Sequence, residues 1–190
     1  MKRAEQKEKR RQEILNVGLD LFIRKGYAAT RTAEIANIVG MSEGLLFHYF
    51  ETKEKLYLEI LEIAAKGKDN IFQARARSPL SFFEEAAKEI LDYISKEPFA
   101  AKLFVLMNRA QYEDVLSEQI QKYSMRQQDM EYSIELIKQG QKDGSIREGN
   151  PIALTTAFFM AIQGIAENIV RNPKMPVPDA EWIVDIIRSK

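Results

Sequence analysis

Apolar residues recur at three- and four-residue intervals through almost the whole chain, and this period constrains the fold more than any other feature. Ile14, Val17 and Leu21, for example, fall on one face of a helix, which is expected to end near Gly26. No segment shows the two-residue alternation of a β-strand, and there is no repeat and no glycine-rich phosphate loop. The sequence therefore predicts an all-α protein, and 190 residues suffice for one or two domains.

Short, closely spaced helices are predicted after the first one. Thr32 is expected to cap a second helix, which Gly40 ends after only two turns. Ser42 is expected to cap a third helix over residues 42–50, and Thr52 a fourth. Two short helices joined by a tight glycine turn have the spacing of a helix–turn–helix, whose second helix fits the major groove of DNA. The capping residues are also fully explained by capping alone.

The predicted third helix carries the run Phe47-His48-Tyr49-Phe50. Successive residues of a helix turn by about 100°, so these rings cannot all face one core. Leu46 and Phe50 are four residues apart and are expected to anchor the helix inward. The positions left largely outward are Glu43, Gly44, Leu45, Phe47, His48 and Tyr49. Outward rings suit a helix that enters a groove, although Phe47 folding back onto the domain is the alternative.

Five further helices are predicted in the rest of the chain. Proline or asparagine–proline marks the start of three of them, and a segment with three prolines, residues 172–178, marks a loop. The predicted helices cover residues 79–93, 98–107, 112–142, 150–171 and 179–188. We accordingly divide the chain into an N-terminal domain, residues 1–55, and a helical domain, residues 56–190, with the fourth helix linking them from about residue 52.

The residue inventory disfavours catalytic and metal sites. Without cysteine the chain can form no disulfide, thiolate nucleophile or cysteine-ligated metal site. The single histidine, His48, lies inside the predicted reading helix, where any Ser–His–acid triad would have to be built. Carboxylate pairs such as Glu84-Glu85 fall on an amphipathic helix and are expected to be solvated. We therefore expect no enzyme, no metal and no cofactor.

The formal net charge is zero, but the charge is unevenly distributed. Residues 1–11 carry six basic and two acidic side chains, and residues 1–55 have a net charge of +3. A solvated helix start explains this basic run as well as a contact with phosphate does. The N-terminus shows no apolar segment typical of a signal peptide, and polar residues interrupt the longest apolar stretch, residues 152–170. We expect a cytoplasmic protein that does not span a membrane.

Residues 8–65 contain a dense set of positions that points to one known family. The set is Gly26-Tyr27, Ala29-Thr30, Thr32, Ile35-Ala36, Gly40-Met41-Ser42, Gly44, Leu46-Phe47-His48-Tyr49-Phe50 and Lys53-Glu54-Lys55-Leu56. It resembles the DNA-binding domain of TetR-type transcriptional regulators, and the layout of a short reader before a long helical remainder is similar too. The resemblance implies an N-terminal three-helix helix–turn–helix domain and a C-terminal helical domain for ligand binding and dimerisation.

The resemblance also implies DNA contacts at the matching positions. Thr32 and Ala33 would approach phosphate, and Lys53 at the start of the fourth helix would hold another phosphate. The residues that would face base edges or backbone are Ser42, Glu43, Gly44, Leu45, Phe47, His48 and Tyr49. The chain departs from the family at Phe47, where tyrosine is usual, and at Leu45, which is bulkier and more apolar than is common. The DNA-binding role therefore transfers, whereas the operator sequence does not.

A dimer surface is predicted because a single helix–turn–helix covers too little DNA for tight specific binding. The segment 150–171 carries a stripe of small residues beside a stripe of large ones, so it can pack on its own core and on a second copy. The small residues are Ala153, Ala157, Ala161 and Gly164. The resemblance implies that the last two helices of each subunit form a four-helix bundle, with Trp182 and Ile186 in the interface. The alternative is that one subunit buries both stripes.

Aromatic and thioether side chains are frequent between the predicted reader and the predicted dimer helix, and the resemblance implies a small-molecule pocket there. The candidate ligand contacts are Phe72, Phe104, Met107, Tyr112, Met125, Phe158, Phe159 and Gln163. At any one of these positions a core role is the simpler explanation. We expect a repressor that binds a palindromic operator and is released by an apolar or aromatic effector. A helical adaptor without DNA binding is the alternative.

Overall fold

A computed structural model describes residues 3–71, 78–110 and 127–190 of the chain. Every regular element in these residues is a helix, which confirms the all-α prediction. The helices are α1 (Arg3–Ala29), α2 (Thr32–Val39), α3 (Glu43–Phe47), α4 (Lys53–Ile71), α5 (Pro79–Lys96), α6 (Pro98–Ala110), α7 (Gln127–Lys142), α8 (Pro151–Arg171) and α9 (Ala180–Val184). One isolated antiparallel bridge joins Ile146 to Arg188.

The first four helices share a compact apolar centre. Ile14 of α1, Ile35 of α2 and Leu46 of α3 are fully buried, and α1 packs against both α2 and α4. Tyr57 of α4 is also fully buried and meets the ring of Phe22 edge-on, with 4.8 Å between the ring centroids. Side chains from all four helices therefore hold the short α3 in place.

Two glycines with positive φ interrupt the N-terminal helices where the sequence predicts breaks. Gly26 has φ 80° and breaks the helical path of α1, and Gly40 has φ 75° directly after α2. Such left-handed conformations favour glycine because it has no Cβ. The N–H of Met41 donates to the carbonyl of Ala36 at 2.9 Å and closes the end of α2. The turn between α2 and α3 is therefore set by backbone geometry.

Helix α6 lies at the centre of the remaining fold. It packs against α1 and α4 on the N-terminal side and against α5 and α8 on the other. Helix α7 packs on α5 and α8, and the short α9 packs on α5. The buried side chains form one continuous cluster from Ile14 in α1 to Ile187 near the C-terminus. Helices α1 to α4 therefore share one core with the rest of the described chain.

Helix α8 begins as the sequence predicts and divides its apolar residues between two faces. The side chain of Asn150 accepts from the N–H groups of Ile152 and Ala153 at 3.0 and 3.1 Å. Among the described residues, α8 is the helix whose length and hydropathy would allow it to cross a membrane. Helices in the cores of water-soluble proteins meet the same criterion, and one face of α8 packs on α6. Its hydropathy is therefore weak evidence for a membrane span.

Three local predictions are wrong. Thr32 does not cap α2, because Arg31 holds the N-cap position and makes no side-chain cap. The third helix ends at Phe47 rather than at residue 50, because the backbone tightens there and Tyr49 N–H donates to Leu46 O at 2.9 Å. The last helix, α9, has only five residues.

The C-terminal segment after α9 leaves the helical path to pair with a loop. The N–H of Arg147 donates to the carbonyl of Ile187 at 2.9 Å, and the N–H of Ser189 donates to that of Ser145 at 3.1 Å. These bonds take up backbone groups that a longer helix would have used internally. The pair of long C-terminal helices that the resemblance implies is therefore one long helix and one short one in this chain.

Close packing at Gly140 of α7 provides a test of the fold. A Cβ at this position would lie 2.5 Å from Cδ1 of Ile146, so Gly140→Ala forces a buried side chain to move. We expect the free energy of unfolding to fall by about 1–2 kcal/mol in chemical denaturation, despite the better helix propensity of alanine. Gly44→Ala is the control, because its Cβ meets nothing within 4 Å. Equal stability of the two variants would contradict this packing.

Candidate nucleic-acid interface

Helix α3 turns an apolar and aromatic surface outward. Leu45 is 45% exposed and Phe47 is 40% exposed, and His48 is exposed as well. Leu46 and Phe50 are buried at 0% and 3% exposure, which confirms that they anchor the helix. Exposed large side chains on so short a helix are a feature of recognition surfaces.

Tyr49 departs from the outward position that the helical wheel predicts. It is half-buried and packs against the core. The reason is that α3 ends at Phe47, so the chain has already turned when it reaches Tyr49. The outward surface of α3 therefore rests on Leu45, Phe47 and His48, with Glu43 and Gly44 exposed at its start.

Side-chain hydrogen bonds hold the start of α3. The hydroxyl of Ser42 accepts from the N–H of Leu45 at 3.2 Å, which confirms the predicted cap. The hydroxyl of Thr32 donates to the carboxylate of Glu43 and so joins the start of α2 to the start of α3. Glu43 also lies in the first turn of α3, where the helix dipole favours a negative charge. The bond from Thr32 fixes the orientation of the Glu43 carboxylate. Ala33 lies exposed beside Thr32.

Lys53 occupies a different environment from the phosphate-facing one that the resemblance implies. Its Nζ donates to the carbonyls of Tyr27 at 2.7 Å, Thr30 at 3.0 Å and Ala28 at 3.4 Å. The same ammonium lies 4.2 Å from the ring centroid of Tyr27. An ammonium has three donors, and three carbonyls after the break in α1 receive them. Lys53 therefore joins the start of α4 to the end of α1, and its phosphate contact stays a prediction.

The basic run of α1 also makes contacts that fix the reader. Nη1 of Arg10 donates to the carbonyl of Val39 at 3.2 Å, at the end of α2. The guanidinium of Arg11 makes a two-point contact with the carboxylate of Glu59 in α4 and lies over the ring of Phe50. The hydrogen bond to Glu59 raises the pKa of Arg11. No local sequence pattern indicated these partners, which lie 29 and 48 residues away.

A groove of about 1010 Å³ separates the start of α1 from the end of α3. Lys7, Lys9 and Arg10 line its α1 side, and Leu45, His48 and Tyr49 line its α3 side. A cationic helix face thus lies next to the exposed surface of α3. Ile38 on α2, which sequence reasoning did not single out, is also exposed, at 52%. A helix that enters a groove of DNA is flanked by phosphates on both strands, so cations beside an exposed helix suit such a contact.

A second exposed surface runs along α8. Its small residues Ala153, Ala157 and Gly164 are exposed and Ala161 is half-buried, whereas Phe158 and Ile162 on the large stripe are buried. Larger apolar side chains extend this surface. They are Ile152 at 60% exposure, Met160 at 43% and Trp182 of α9 at 64%. Ile186 is half-buried. Among the described residues of the chain the small-residue stripe is therefore left uncovered, contrary to the alternative that both stripes are internal.

The candidate ligand contacts divide into three groups. Phe72, Tyr112 and Met125 lie outside the described residues. Met107, Phe158 and Phe159 are buried, and the ring of Phe158 meets that of Phe159 at 5.2 Å between centroids, as core rings do. Phe104 and Gln163 are half-buried. Nε2 of Gln163 donates to Glu167 at 3.1 Å, while its buried Oε1 has no hydrogen-bond partner within the described part of the chain.

Comparison with known proteins identifies the N-terminal helices. A family model described as bacterial regulatory proteins, tetR family, matches residues 14–60. QacR of Staphylococcus aureus, an HTH-type transcriptional regulator, is 51% identical over 51 residues, which are 27% of either chain. Residues 14–60 therefore carry the N-terminal domain of the TetR family. The match covers α2, α3 and most of α1, so the predicted family is confirmed.

More distant TetR-family relatives cover more of the chain. KstR2 of Rhodococcus jostii, an HTH-type transcriptional repressor, is 27% identical over 165 residues, 80% of this chain and 76% of that one. The structure of AibR in complex with isovaleryl coenzyme A and operator DNA has a TM-score of 0.66 at 18% identity, over 93% of this chain and 94% of that one. At this identity the likeness shows the fold. The chain spans less than half the length of two of the curated relatives that it matches.

The contacts of Lys53 yield a stability prediction. We expect Lys53→Met to lower the free energy of unfolding by about 1–2 kcal/mol, because it removes a cation from three carbonyls at the end of a helix. Lys55→Met is the matched control, since Lys55 is exposed and should change stability by less than about 0.5 kcal/mol. Urea unfolding followed by circular dichroism measures both. Indistinguishable midpoints would show that Lys53 does not fasten α4 to α1.

Proposed function

We propose that the chain is a transcriptional regulator that binds a double-stranded DNA operator as a homodimer and responds to a small-molecule effector. The observation that carries this proposal is the exposed face of α3, held in a helix–turn–helix beside the cationic start of α1. The match of residues 14–60 to the tetR family model and the repressor and regulator names of the relatives support the proposal. Under this proposal the protein acts on DNA in the cytoplasm and has no membrane partner.

In the proposed complex α3 lies in the major groove. Leu45 and Phe47 offer apolar contacts, which suit the C5 methyl group of thymine, and Glu43 can accept a hydrogen bond from the N4 group of cytosine. His48, exposed at the end of α3, contacts backbone or base edges. Ser42, Gly44 and Tyr49 complete the reading surface. Because Phe47 has no hydroxyl, we expect it to recognise the operator by shape and by contact with a thymine methyl group.

Phosphate contacts come from the elements around α3. Thr32 and Ala33 at the start of α2 face the DNA backbone, and Lys53 contributes its positive charge from the start of α4. Lys7 and Lys9, exposed on the α1 side of the groove, extend these contacts to the neighbouring phosphates. Such contacts position the protein without reading sequence, and they make affinity depend on salt.

The dimer in this proposal forms through α8 and α9. Ala153, Ala157, Ala161 and Gly164 allow close approach of two α8 helices, and Trp182 and Ile186 extend the contact. Symmetric dimers bind half-sites whose centres are about 34–36 Å apart, which predicts a palindromic operator. The exposed apolar side chains of α8 and α9 support this interface, because monomeric proteins rarely leave contiguous apolar patches exposed to solvent.

We further propose that the regulator is a repressor released by an apolar or aromatic effector. The effector would bind among Phe104, Met107, Phe158, Phe159 and Gln163, together with Phe72, Tyr112 and Met125. The unpartnered Oε1 of Gln163 supports a polar contact in this region. Release requires the effector to bind more tightly to a subunit arrangement that does not fit DNA.

Binding to the DNA that flanks its own gene tests the regulator proposal. We expect salt-dependent binding, measured by fluorescence anisotropy, with operator affinity reduced at least about tenfold in Leu45→Ala/Phe47→Ala and an unchanged salt slope. Lys7→Gln/Lys9→Gln should instead lower the slope by about 0.9 for each lost phosphate contact. Lys88→Gln, a change at an exposed lysine of α5, is the control. A helical adaptor would show no salt-dependent DNA binding at all.

A charge on the small-residue stripe tests the dimer. Ala157→Arg places a bulky cation where two α8 helices would approach each other, so we expect monomers in sedimentation velocity and an operator affinity lower by about a hundredfold. Gln139→Arg adds the same side chain at an exposed position of α7 and should leave the dimer intact. Dimers of unchanged stability in Ala157→Arg would place the interface elsewhere.

A further inference from the structure

A cleft of about 520 Å³ lies where α1, α6 and α8 meet. It is distinct from the aromatic region named above as the effector site, because its walls include α1 of the reader. Ile23, Val105 and Val170 give it apolar surface, and Ile23 and Val105 are 7% and 1% exposed. Sites for small organic molecules commonly measure about 300–1,000 Å³ and combine apolar walls with a few polar groups.

Charged side chains of both signs line the rest of the cleft, and some of them pair with each other. Nζ of Lys102 lies 2.6 Å from Oδ1 of Asp20. Arg109 donates from Nη1 to the carbonyl of Ile23 at 2.5 Å, and its Nη2 lies 3.7 Å from Oε1 of Glu167. Both acidic groups of the cleft therefore already have cationic partners.

Two cations of the cleft are not neutralised. Arg24 lies on the α1 wall and Arg171 on the α8 wall, and both are exposed. Neither forms an ion pair or a side-chain hydrogen bond within residues 3–71, 78–110 and 127–190. With four cations and two acids along its walls, the cleft carries a net charge of +2. Like charges on two walls repel, and an anion between them would relieve that repulsion.

We propose that this cleft is a binding site for a small organic carboxylate. Arg24 and Arg171 hold its carboxylate, because guanidinium groups match carboxylate oxygens in geometry and charge. Its apolar body packs against Ile23, Val105 and Val170. A purely inorganic anion would leave this apolar surface unused, and an uncharged molecule would leave the two guanidinium groups without a counter-charge.

An occupant of this cleft connects two functional surfaces. Helix α1 belongs to the reader, and α8 carries the exposed small-residue stripe. A carboxylate held by both helices stabilises their present arrangement and thereby changes the affinity for DNA by the same factor with which DNA changes the affinity for the carboxylate. This regulatory consequence rests on the proposed function, whereas binding of the carboxylate does not.

Calorimetric titration of the full-length protein without DNA tests the site. The probes are octanoate and phenylacetate, with octanamide and phenylacetamide as uncharged controls of the same shape. We expect saturable binding of at least one carboxylate, and binding at least about tenfold weaker for its amide and for Arg24→Gln/Arg171→Gln. Lys88→Gln/Lys142→Gln removes the same charge from exposed positions of α5 and α7 and should change the affinity by less than about twofold.

Several results would overturn the site. The first is that neither carboxylate shows saturable binding up to about 10 mM. The second is that the arginine and lysine double variants bind with equal affinity, and the third is that a carboxylate and its amide bind equally well. Inorganic phosphate that binds while both carboxylates fail would show a simple anion contact instead. Urea unfolding verifies that both double variants are folded. DNA binding of the same variants is measured separately, so failure of the carboxylate site leaves the test of DNA binding intact.

Discussion

The burial of Leu46 beneath α3 is the interaction on which the proposed DNA-reading surface depends. A helix of five residues has no independent stability, because helix formation needs more residues to offset the cost of its first turn. Leu46 is fully buried and Phe50 nearly so, against a centre formed by α1, α2 and α4. Only because these side chains hold α3 can Leu45 and Phe47 remain exposed beside them. The cost of exposing two large apolar side chains is offset by packing within the same short segment.

Cations from distant parts of the chain complete this arrangement at helix ends. Lys53 binds carbonyls at the end of α1, Arg10 binds the carbonyl of Val39 at the end of α2, and Arg109 binds that of Ile23. Carbonyl groups near a helix C-terminus lack internal partners and carry partial negative charge, so a cation there satisfies both needs. The contacts join α4 to α1, α1 to α2 and α6 to α1. The position of α2 against α1 is therefore fixed by electrostatics as well as by apolar packing.

Features that depend on local sequence were predictable, and features that depend on distant partners were not. Gly26, Gly40 and Ser42 act through their own backbone and neighbouring groups, so their roles could be inferred from spacing alone. The inward position of Leu46 and Phe50 follows from helical period. By contrast, the partners of Lys53 lie 23 to 26 residues away, and Thr32 contacts a residue 11 positions on. The early end of the last helix likewise depends on a loop that passes beside it only in the folded chain.

The continuous core has a consequence for local unfolding of the N-terminal helices. Buried side chains run without interruption from α1 through α6 to the C-terminal segment, so no loosely packed boundary lies between the described reader helices and the rest. Amide hydrogens of α2 and α3 should therefore exchange with solvent largely through openings that also disturb α6, rather than through independent fraying of a small domain. Any molecule that stabilises the larger helical part then slows exchange in the reader as well, even where it touches neither α2 nor α3.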